Sequence, residues 1–172
     1  MTAAARDTVR DTAGDVREIV ASVPDPEMPW VNLGDLGIVR TVRLLGPERR
    51  SVHVELTPTY LGCPAVEVMR TDVAAALTAA GYRVESIDLR LDPPWTSAQI
   101  TAEGRRKLAE AGIAPPAHVA ASKDTVTPLT LGVRCPNCGG IETALLSRFG
   151  ASPCQELRRC SSCAEPFPAV RA

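Results

Sequence analysis

Four of the six cysteines fall into two CxxC pairs near the end of the chain, Cys135 with Cys138 and Cys160 with Cys163. A CxxC pair holds two thiolates close enough to share one tetrahedral metal ion, and two pairs complete the four-cysteine set that structural zinc prefers. Neither pair follows the strand and helix pattern of a redox dithiol, so metal binding is favoured over dithiol chemistry or incidental thiols. The spacing therefore predicts a zinc site, and iron with four thiolate ligands stays an alternative.

The residues between the two pairs, 139–159, are numerous enough for a hairpin with a strand at 141–149. They contain few apolar side chains, so we expect the metal to replace a hydrophobic core. A fifth cysteine of this segment, Cys154, has no partner at metal-ligand spacing. The role of Cys154 is left open: it is a spare thiol, a packing contact within the fold or an occasional ligand. It is not counted among the zinc ligands.

The sixth cysteine, Cys63, follows a loop at 57–62 and precedes Pro64. Proline is favoured in the first turn of a helix, which predicts Cys63 as the N-cap. Unpaired N–H groups and the helix dipole at that position favour a thiolate, so Cys63 is a candidate nucleophile or soft-metal ligand. The alternative is a small apolar residue that begins a helix.

Two carboxylates, Asp25 and Glu27, lie in a rigid proline loop. They suit a metal ion or a basic group of a partner, and the alternative is a solvated turn at a helix exit. A right-handed crossover between parallel strands would bring this loop and Cys63 to the same end of a sheet. Carboxylates there would raise the pKa of the thiol unless the helix N-terminus or a metal dominates. A soft thiolate beside hard oxygens suits a transient iron site.

Hydrophobic periodicity predicts the elements that position these residues. Predicted helices begin near residues 16, 66 and 101, and predicted strands occupy 38–45, 51–56 and 84–91. The first two strands form an antiparallel hairpin, and a helix then connects the second strand to a parallel third one. The predicted fold class is α+β: a small mixed three-stranded sheet with packed helices, followed by a C-terminal zinc ribbon. Trp30 and Trp95 are interpreted as packing anchors first and as contacts for a partner second.

Shifts in composition divide the chain into four parts. Residues 1–14 are predicted to be a flexible leader, and 15–116 an α/β domain. Residues 117–133 mix Pro, Ala, Ser and Thr and are predicted to be a linker, with the four-cysteine ribbon at 134–172.

Composition narrows the class of function. The 172 residues carry a net charge of -1 and 3% aromatics, which disfavours a nucleic-acid-binding zinc ribbon and an anionic-membrane binder. No apolar run approaches the length of a membrane span. Charged residues stand where a signal peptide would be apolar, so we expect a cytoplasmic protein whose cysteines are reduced.

Longer motifs in the first part of the chain resemble an iron–sulfur cluster assembly family that includes SufT. They are DPEMP at 25–29, DLGIV at 35–39 and TPTYLGCPA at 57–65. Further motifs resemble the PaaD family, also called PaaJ, the D component of the phenylacetyl-CoA epoxidase (phenylacetate-CoA oxygenase) system. They are LDPPWT at 91–96, GIAPP at 112–116, FGASPC at 149–154 and EPF at 165–167.

The resemblance implies an accessory protein of aerobic phenylacetate degradation, with the oxygenase chemistry carried out by other subunits. The chain lacks the Glu-x-x-His pairs of a di-iron bundle and a dinucleotide fingerprint. The implied role is to mature or insert a metal centre, foremost the iron–sulfur cluster of the flavin reductase subunit, with Cys63, Asp25 and Glu27 at the family's functional motifs. A transient iron–sulfur cluster or iron is the implied cargo beside structural zinc. A structural or regulatory subunit is the alternative, and a homodimer stays open.

Overall fold

A computed structural model describes residues 12–116 and 133–171 of the chain. The predicted linker lies outside these residues except for Val133, and so does the predicted leader except for its last three residues. The elements, in chain order, are α1 Ala13–Ala21, β1 Val39–Leu45, β2 Ser51–Leu56, α2 Val66–Ala79, β3 Arg83–Leu89, a 3-10 turn Ser97–Gln99, α3 Ala102–Glu110, β4 Thr143–Ser147, β5 Gln155–Cys160 and β6 Pro166–Val170. No helix in this part of the chain is long and apolar enough to cross a membrane.

Helix α1 begins two residues before the predicted domain boundary at residue 15. Thr12 is its N-cap: the Thr12 hydroxyl accepts from the backbone N–H of Asp15, and the Asp15 carboxylate accepts from the N–H of Thr12. This reciprocal capping satisfies N–H groups that the first turn would otherwise leave unpaired. The predicted apolar stripe is buried, with Val16 and Val20 both 0% exposed, and the helix ends before Pro24.

The first sheet has the predicted mixed topology, in the order β1-β2-β3. Strands β1 and β2 form an antiparallel hairpin, and β2 pairs with β3 in parallel. Helix α2 makes the crossover and buries one side against the sheet, with Met69, Val73 and Leu77 at its core. The predicted α+β fold class is therefore confirmed, and the carboxyl end of β2 leads directly into the loop that carries Cys63.

The segment between α1 and β1 is held against α3 by close backbone packing. A Cβ atom on Gly104 would lie 2.5 Å from the carbonyl oxygen of Asp35, so no larger residue fits at this position of α3. Lys107, one turn further along α3, places its Nζ 2.7 Å from Oδ2 of the buried Asp35. The Trp95 indole N–H donates to the carbonyl oxygen of Leu36 at 2.8 Å, as expected of a packing anchor. Trp30 is 58% exposed, so its interpretation as a packing anchor is wrong. The second interpretation, a contact for a partner, stays a prediction.

The C-terminal segment is a three-stranded antiparallel sheet in the order β4-β5-β6, and its third strand was not predicted. Strand β6 carries Pro166 and Pro168, which lack an N–H and therefore fit only where the ladder needs none. Phe167, at 2% exposure, alternates with them and packs against Cys135 and Cys160. The ribbon thus buries a small apolar cluster together with Ala114 of the first domain, which corrects the expectation that the metal replaces a hydrophobic core.

The ribbon packs directly on the first domain. Ala114, which follows α3, forms a parallel bridge with Ala169 of β6. Cys154 and Val170 of the ribbon lie in the hydrophobic core of the first domain, at 8% and 3% exposure. The two parts of the chain therefore share a core.

Candidate functional site

Two separate groups of chemically active side chains stand out, and the first is the four-cysteine cluster. The sulfur atoms of Cys135, Cys138, Cys160 and Cys163 all lie within 4.8 Å of one another. The Cys138 and Cys160 sulfurs are 3.5 Å apart, and those of Cys135 and Cys163 are 3.8 Å apart. A tetrahedral zinc with four thiolates requires sulfur separations of about 3.8 Å. The cluster therefore has the size of a tetrahedral metal site.

Backbone N–H groups around the cluster favour thiolates. The N–H of Cys163 donates to the Cys160 sulfur and lowers the pKa of that thiol to about 6, with a further contribution from the N–H of Ser162. Such N–H bonds to a ligand sulfur orient it and stabilise its negative charge. The N–H groups of Gly140 and Glu165 act in the same direction on Cys138 and Cys163, but neighbouring sulfurs and burial raise the pKa of these two thiols. A bound cation would therefore be needed for the cluster to hold several thiolates together.

The two knuckles have equivalent backbone conformations. The residue after each CxxC pair has a positive φ, 74° at Gly139 and 64° at Ala164. Gly140 follows in the first knuckle, where a Cβ atom would lie 3.3 Å from the sulfurs of Cys138 and Cys160. Gly139 therefore accommodates the positive φ of the tight turn, and Gly140 leaves space beside the sulfurs.

The second group begins at the proline loop after α1. Asp25 is 4% exposed, and its Oδ1 accepts from the backbone N–H groups of Glu27 and Met28 at 2.9 and 2.8 Å. Burial raises the pKa of Asp25, although these N–H bonds oppose the rise. Glu27 is exposed, and its charge adds to the rise. Asp25 is therefore a buried, preorganised carboxylate. Only Glu27 fits the alternative of a solvated turn at a helix exit.

Cys63 lies at the start of the turn that leads into α2. The N-cap of α2 is Ala65 and not Cys63, because residues 64 and 65 form a turn before regular helix begins. Cys63 is half-buried, and burial is the largest cause that raises its pKa. The N–H of Ala65 donates to the sulfur and opposes this rise, while the charges of Asp25 and Glu27 add to it. Burial and the two carboxylates thus outweigh the N–H of Ala65, which is the direction expected where carboxylates lie near the thiol and the helix N-terminus does not dominate.

The charges of Asp25 and Glu27 both act on the Cys63 thiol, so the proline loop and the loop that carries Cys63 lie near each other. That the two loops converge at one end of the sheet stays a prediction. The Tyr60 hydroxyl hydrogen-bonds with Cys63, and burial and the nearby thiol raise the pKa of the phenol. Cys154 also joins this group, because the charges of Asp25 and Cys63 raise its pKa after burial, the main cause. Tyr60 stands in the sequence motif beside Cys63, but no local pattern predicts that the ribbon places Cys154 here.

Comparison with known proteins matches the two parts of the chain to two different families. The family described as "Iron-sulfur cluster assembly protein" matches residues 13–89, and that described as "PaaD zinc beta ribbon domain" matches residues 120–171. The first domain also resembles the crystal structure of a domain of unknown function, DUF59, from Bacillus anthracis, with a TM-score of 0.50 and 22% identity. That likeness covers 56% of this chain and 90% of the other, and it supports the fold. The chain is therefore an iron–sulfur assembly domain joined to a zinc ribbon.

One relative matches this chain over most of the length of both proteins and identifies the family. The chain is 39% identical over 153 residues to an Escherichia coli (strain K12) protein, which is named as the D component of a "Putative 1,2-phenylacetyl-CoA epoxidase". The match covers 89% of this chain and 88% of the relative. The chain belongs to the PaaD family of phenylacetyl-CoA epoxidase subunits.

Proposed function

We propose that this protein is an accessory factor of a phenylacetyl-CoA epoxidase that inserts or repairs the iron–sulfur cluster of the reductase subunit. One feature carries the proposal: the half-buried thiol of Cys63 is acted on by the charge of the buried Asp25 carboxylate, in a domain that matches an iron–sulfur assembly family. A thiolate and a carboxylate together offer a soft and a hard ligand, which suits iron held for transfer. The four-cysteine ribbon holds structural zinc in this proposal.

The proposed order of events follows from the chemistry of Cys63. Burial and the charge of Asp25 raise the pKa of Cys63, so without metal the thiol keeps its proton. An iron ion or cluster that approaches the loop lowers the cost of the thiolate, the proton passes to solvent, and sulfur binds. When the cargo leaves, a proton from solvent returns to the sulfur. Because the pKa of Cys63 is raised, this proton competes with the metal for the sulfur, which favours release. The chain acts in the reducing cytoplasm, where its six free cysteines persist.

A deletion strain tests the function. The epoxidase reductase purified from cells that lack this protein is expected to contain less iron and sulfide than the reductase from the parent strain. A plasmid copy of the gene is expected to restore both, whereas the Cys63→Ser variant is not, although its zinc content and fold are kept. Thr71→Ser, an exposed change on α2, is the matched control and is expected to restore the reductase fully.

Two outcomes contradict the proposal. A reductase with full iron and sulfide in the deletion strain would favour the alternative, a structural or regulatory subunit of the epoxidase. Full restoration by Cys63→Ser would show that Cys63 has a packing role.

A further inference from the structure

Strand β4 forms an exposed apolar edge of the ribbon sheet. Within the described residues it pairs with β5 on one side, and no strand pairs with its other side. Four large apolar side chains in and beside this strand are between 43% and 70% exposed: Ile141, Leu145, Leu146 and Phe149. Apolar side chains clustered at an unpaired sheet edge are typical of a surface that binds another protein.

The other sheet edges in the described parts of the chain are protected, and β4 is not. Strand β1 carries Arg40 and Arg43, and β3 carries Arg83, Glu85 and Asp88. Charged side chains at an edge oppose pairing with a second strand. Strand β6 is bridged to the first domain. Strand β4 has the sequence TALLS, which contains no charged residue, so it is the edge on which pairing with a further strand is opposed least.

The outer side of β4 presents backbone groups for such pairing. The N–H of Ser161 donates to the carbonyl oxygen of Glu142, so Glu142 directs its backbone groups toward β5. These directions alternate along an antiparallel strand, so the backbone groups of Thr143 and Leu145 point to the outer edge. The carbonyl oxygen of Thr143 also lies 3.5 Å from Nη1 of Arg158, at the limit of a hydrogen bond. Leu145 is therefore the natural centre of a new ladder.

The sequence of this edge is complementary to itself when two copies run antiparallel about Leu145. Leu145 then faces Leu145 of the second copy and exchanges two backbone hydrogen bonds with it. In the same register Thr143 faces Ser147, and Ala144 faces Leu146. Hydroxyl pairs and apolar pairs are favourable cross-strand neighbours. Pairing of one strand with its own copy also gives a closed dimer with two-fold symmetry.

The residues that flank β4 continue this complementarity. In the same register Glu142 faces Arg148 of the second copy, and the two-fold axis forms this pair of opposite charges twice. Ile141 faces Phe149, and the Arg171 guanidinium lies 5.7 Å from the centroid of the Phe149 ring. This cation–π contact holds the exposed ring in place. The register therefore covers all four exposed apolar side chains and sets opposite charges against each other.

We propose that this protein forms a homodimer through β4, in which the two three-stranded ribbon sheets join into one continuous antiparallel sheet. A second copy fits this edge better than an unrelated strand, because residues 141–149 supply both halves of every pair. The shift of register between Leu145 and Ser147 marks a bulge, which twists the edge and keeps the new ladder short. The interface is therefore smaller than a standard one, and we expect a dissociation constant in the micromolar range. This inference does not depend on the proposed function.

Sedimentation velocity of the full-length, zinc-loaded protein over a series of concentrations tests the dimer. The dimer fraction is expected to rise with concentration. Because Leu145 faces its own copy, Leu145→Lys sets two like charges against each other and is expected to weaken the dimer at least about tenfold. Leu145→Glu is expected to do the same, whereas an equal mixture of the two variants is expected to form a heterodimer. Leu91→Lys, at a similarly exposed leucine outside the ribbon, is the matched control and is expected to dimerise like the wild type.

Hydrogen exchange of the wild type covers the case in which the variants do not bind zinc and fold. Backbone exchange in residues 141–149 is expected to be slower at high than at low protein concentration, whereas exchange in β3 is expected to stay the same. A wild type that is monomeric at every concentration, or a dimer that protects another edge, would overturn the proposal. So would a folded Leu145→Lys variant that dimerises like the wild type, or folded Lys and Glu variants that form no heterodimer.

Discussion

Ala114 and Ala169 pair in parallel across the two domains. The N–H of Ala114 donates to the carbonyl oxygen of Pro168 at 2.8 Å, and its own carbonyl oxygen accepts from the N–H of Val170 at 3.0 Å. Both alanines are 0% exposed, so this pairing is sealed from water. The last strand of the ribbon is thus continuous with the end of the first domain, and a change in one is expected to reach the other.

Loss of the metal site is therefore expected to affect both domains. Cys160→Ser should unfold the ribbon, because three thiolates hold zinc poorly and the small cluster around Phe167 cannot stabilise it alone. The first domain should remain folded but melt at a lower temperature, because Val170 and Cys154 leave its core. Hydrogen exchange by mass spectrometry measures both effects. Ser161→Ala, in the same knuckle, is the control, and unchanged exchange in the first domain would contradict the shared core.

The segment after α1 passes close to the 3-10 turn. We therefore expect that no side chain is tolerated at Gly37. Its φ is 68°, and a Cβ atom would lie 2.4 Å from the carbonyl oxygen of Gln99. Gly37→Ala is expected to lower the free energy of unfolding by about 2–5 kcal/mol, from strained backbone and overpacking together.

A Gly46→Ala variant distinguishes the cost of strained backbone from the cost of overpacking. Gly46 has a similar φ of 77°, with nothing within 4 Å of the added Cβ. Gly46→Ala is thus expected to cost about 1 kcal/mol, from the backbone alone. Urea unfolding of both variants gives the comparison, and equal losses would show that the contact with Gln99 relaxes freely.

The ion pair between Lys107 and Asp35 is expected to stabilise the packing of α3. Asp35 is 8% exposed and Lys107 29% exposed at the side chain, so Lys107→Met leaves a buried carboxylate without its cation. We expect a loss of about 1–3 kcal/mol in the free energy of unfolding. Asp35→Asn added to this variant should recover part of the loss, because it removes the uncompensated charge. Arg106→Met, an exposed change on the same helix, is the control and is expected to have little effect on the free energy of unfolding. If it lowered that free energy as much as Lys107→Met does, burial of the ion pair would not explain its contribution.

The buried carboxylate of Asp25 is expected to make stability depend on pH. Its pKa is raised by burial in the folded protein, whereas an unfolded chain has a value of about 3.9. Its contribution is therefore fully present below the unfolded value and is lost as pH rises through the folded value. Asp25→Asn keeps the oxygen that accepts both N–H bonds and carries no charge, so it should be more stable than the wild type at neutral pH. The difference should disappear near pH 4.

Denaturant unfolding at a series of pH values, with zinc present, measures this effect. Asp72→Asn, exposed on α2, is the matched control and is expected to show no such crossover. A variant less stable than the wild type at neutral pH would show that the carboxylate is compensated by a group outside the described residues.

Local pattern determined most of the fold. Helix α1, which buries Val16 and Val20, and the alternating burial through β2 depend on neighbours within a few residues. The structure has a helix and a strand where hydrophobic periodicity predicts them. The two CxxC pairs likewise carry their own geometry, because the backbone of each knuckle positions its sulfurs. Only the pairing of the two knuckles needs the rest of the ribbon.

Tertiary structure decided the formation of strand β6 and the position of Cys154. Pro166 and Pro168 argue against a strand by local preference, and the strand forms because its edge lies beside Ala114, where Phe167 and Ala169 can be buried. Cys154 had no partner at metal-ligand spacing, and it is buried in the core of the first domain because the ribbon packs there. Such contacts join parts of the chain that are distant in sequence, so they depend on how whole surfaces complement one another and not on periodicity.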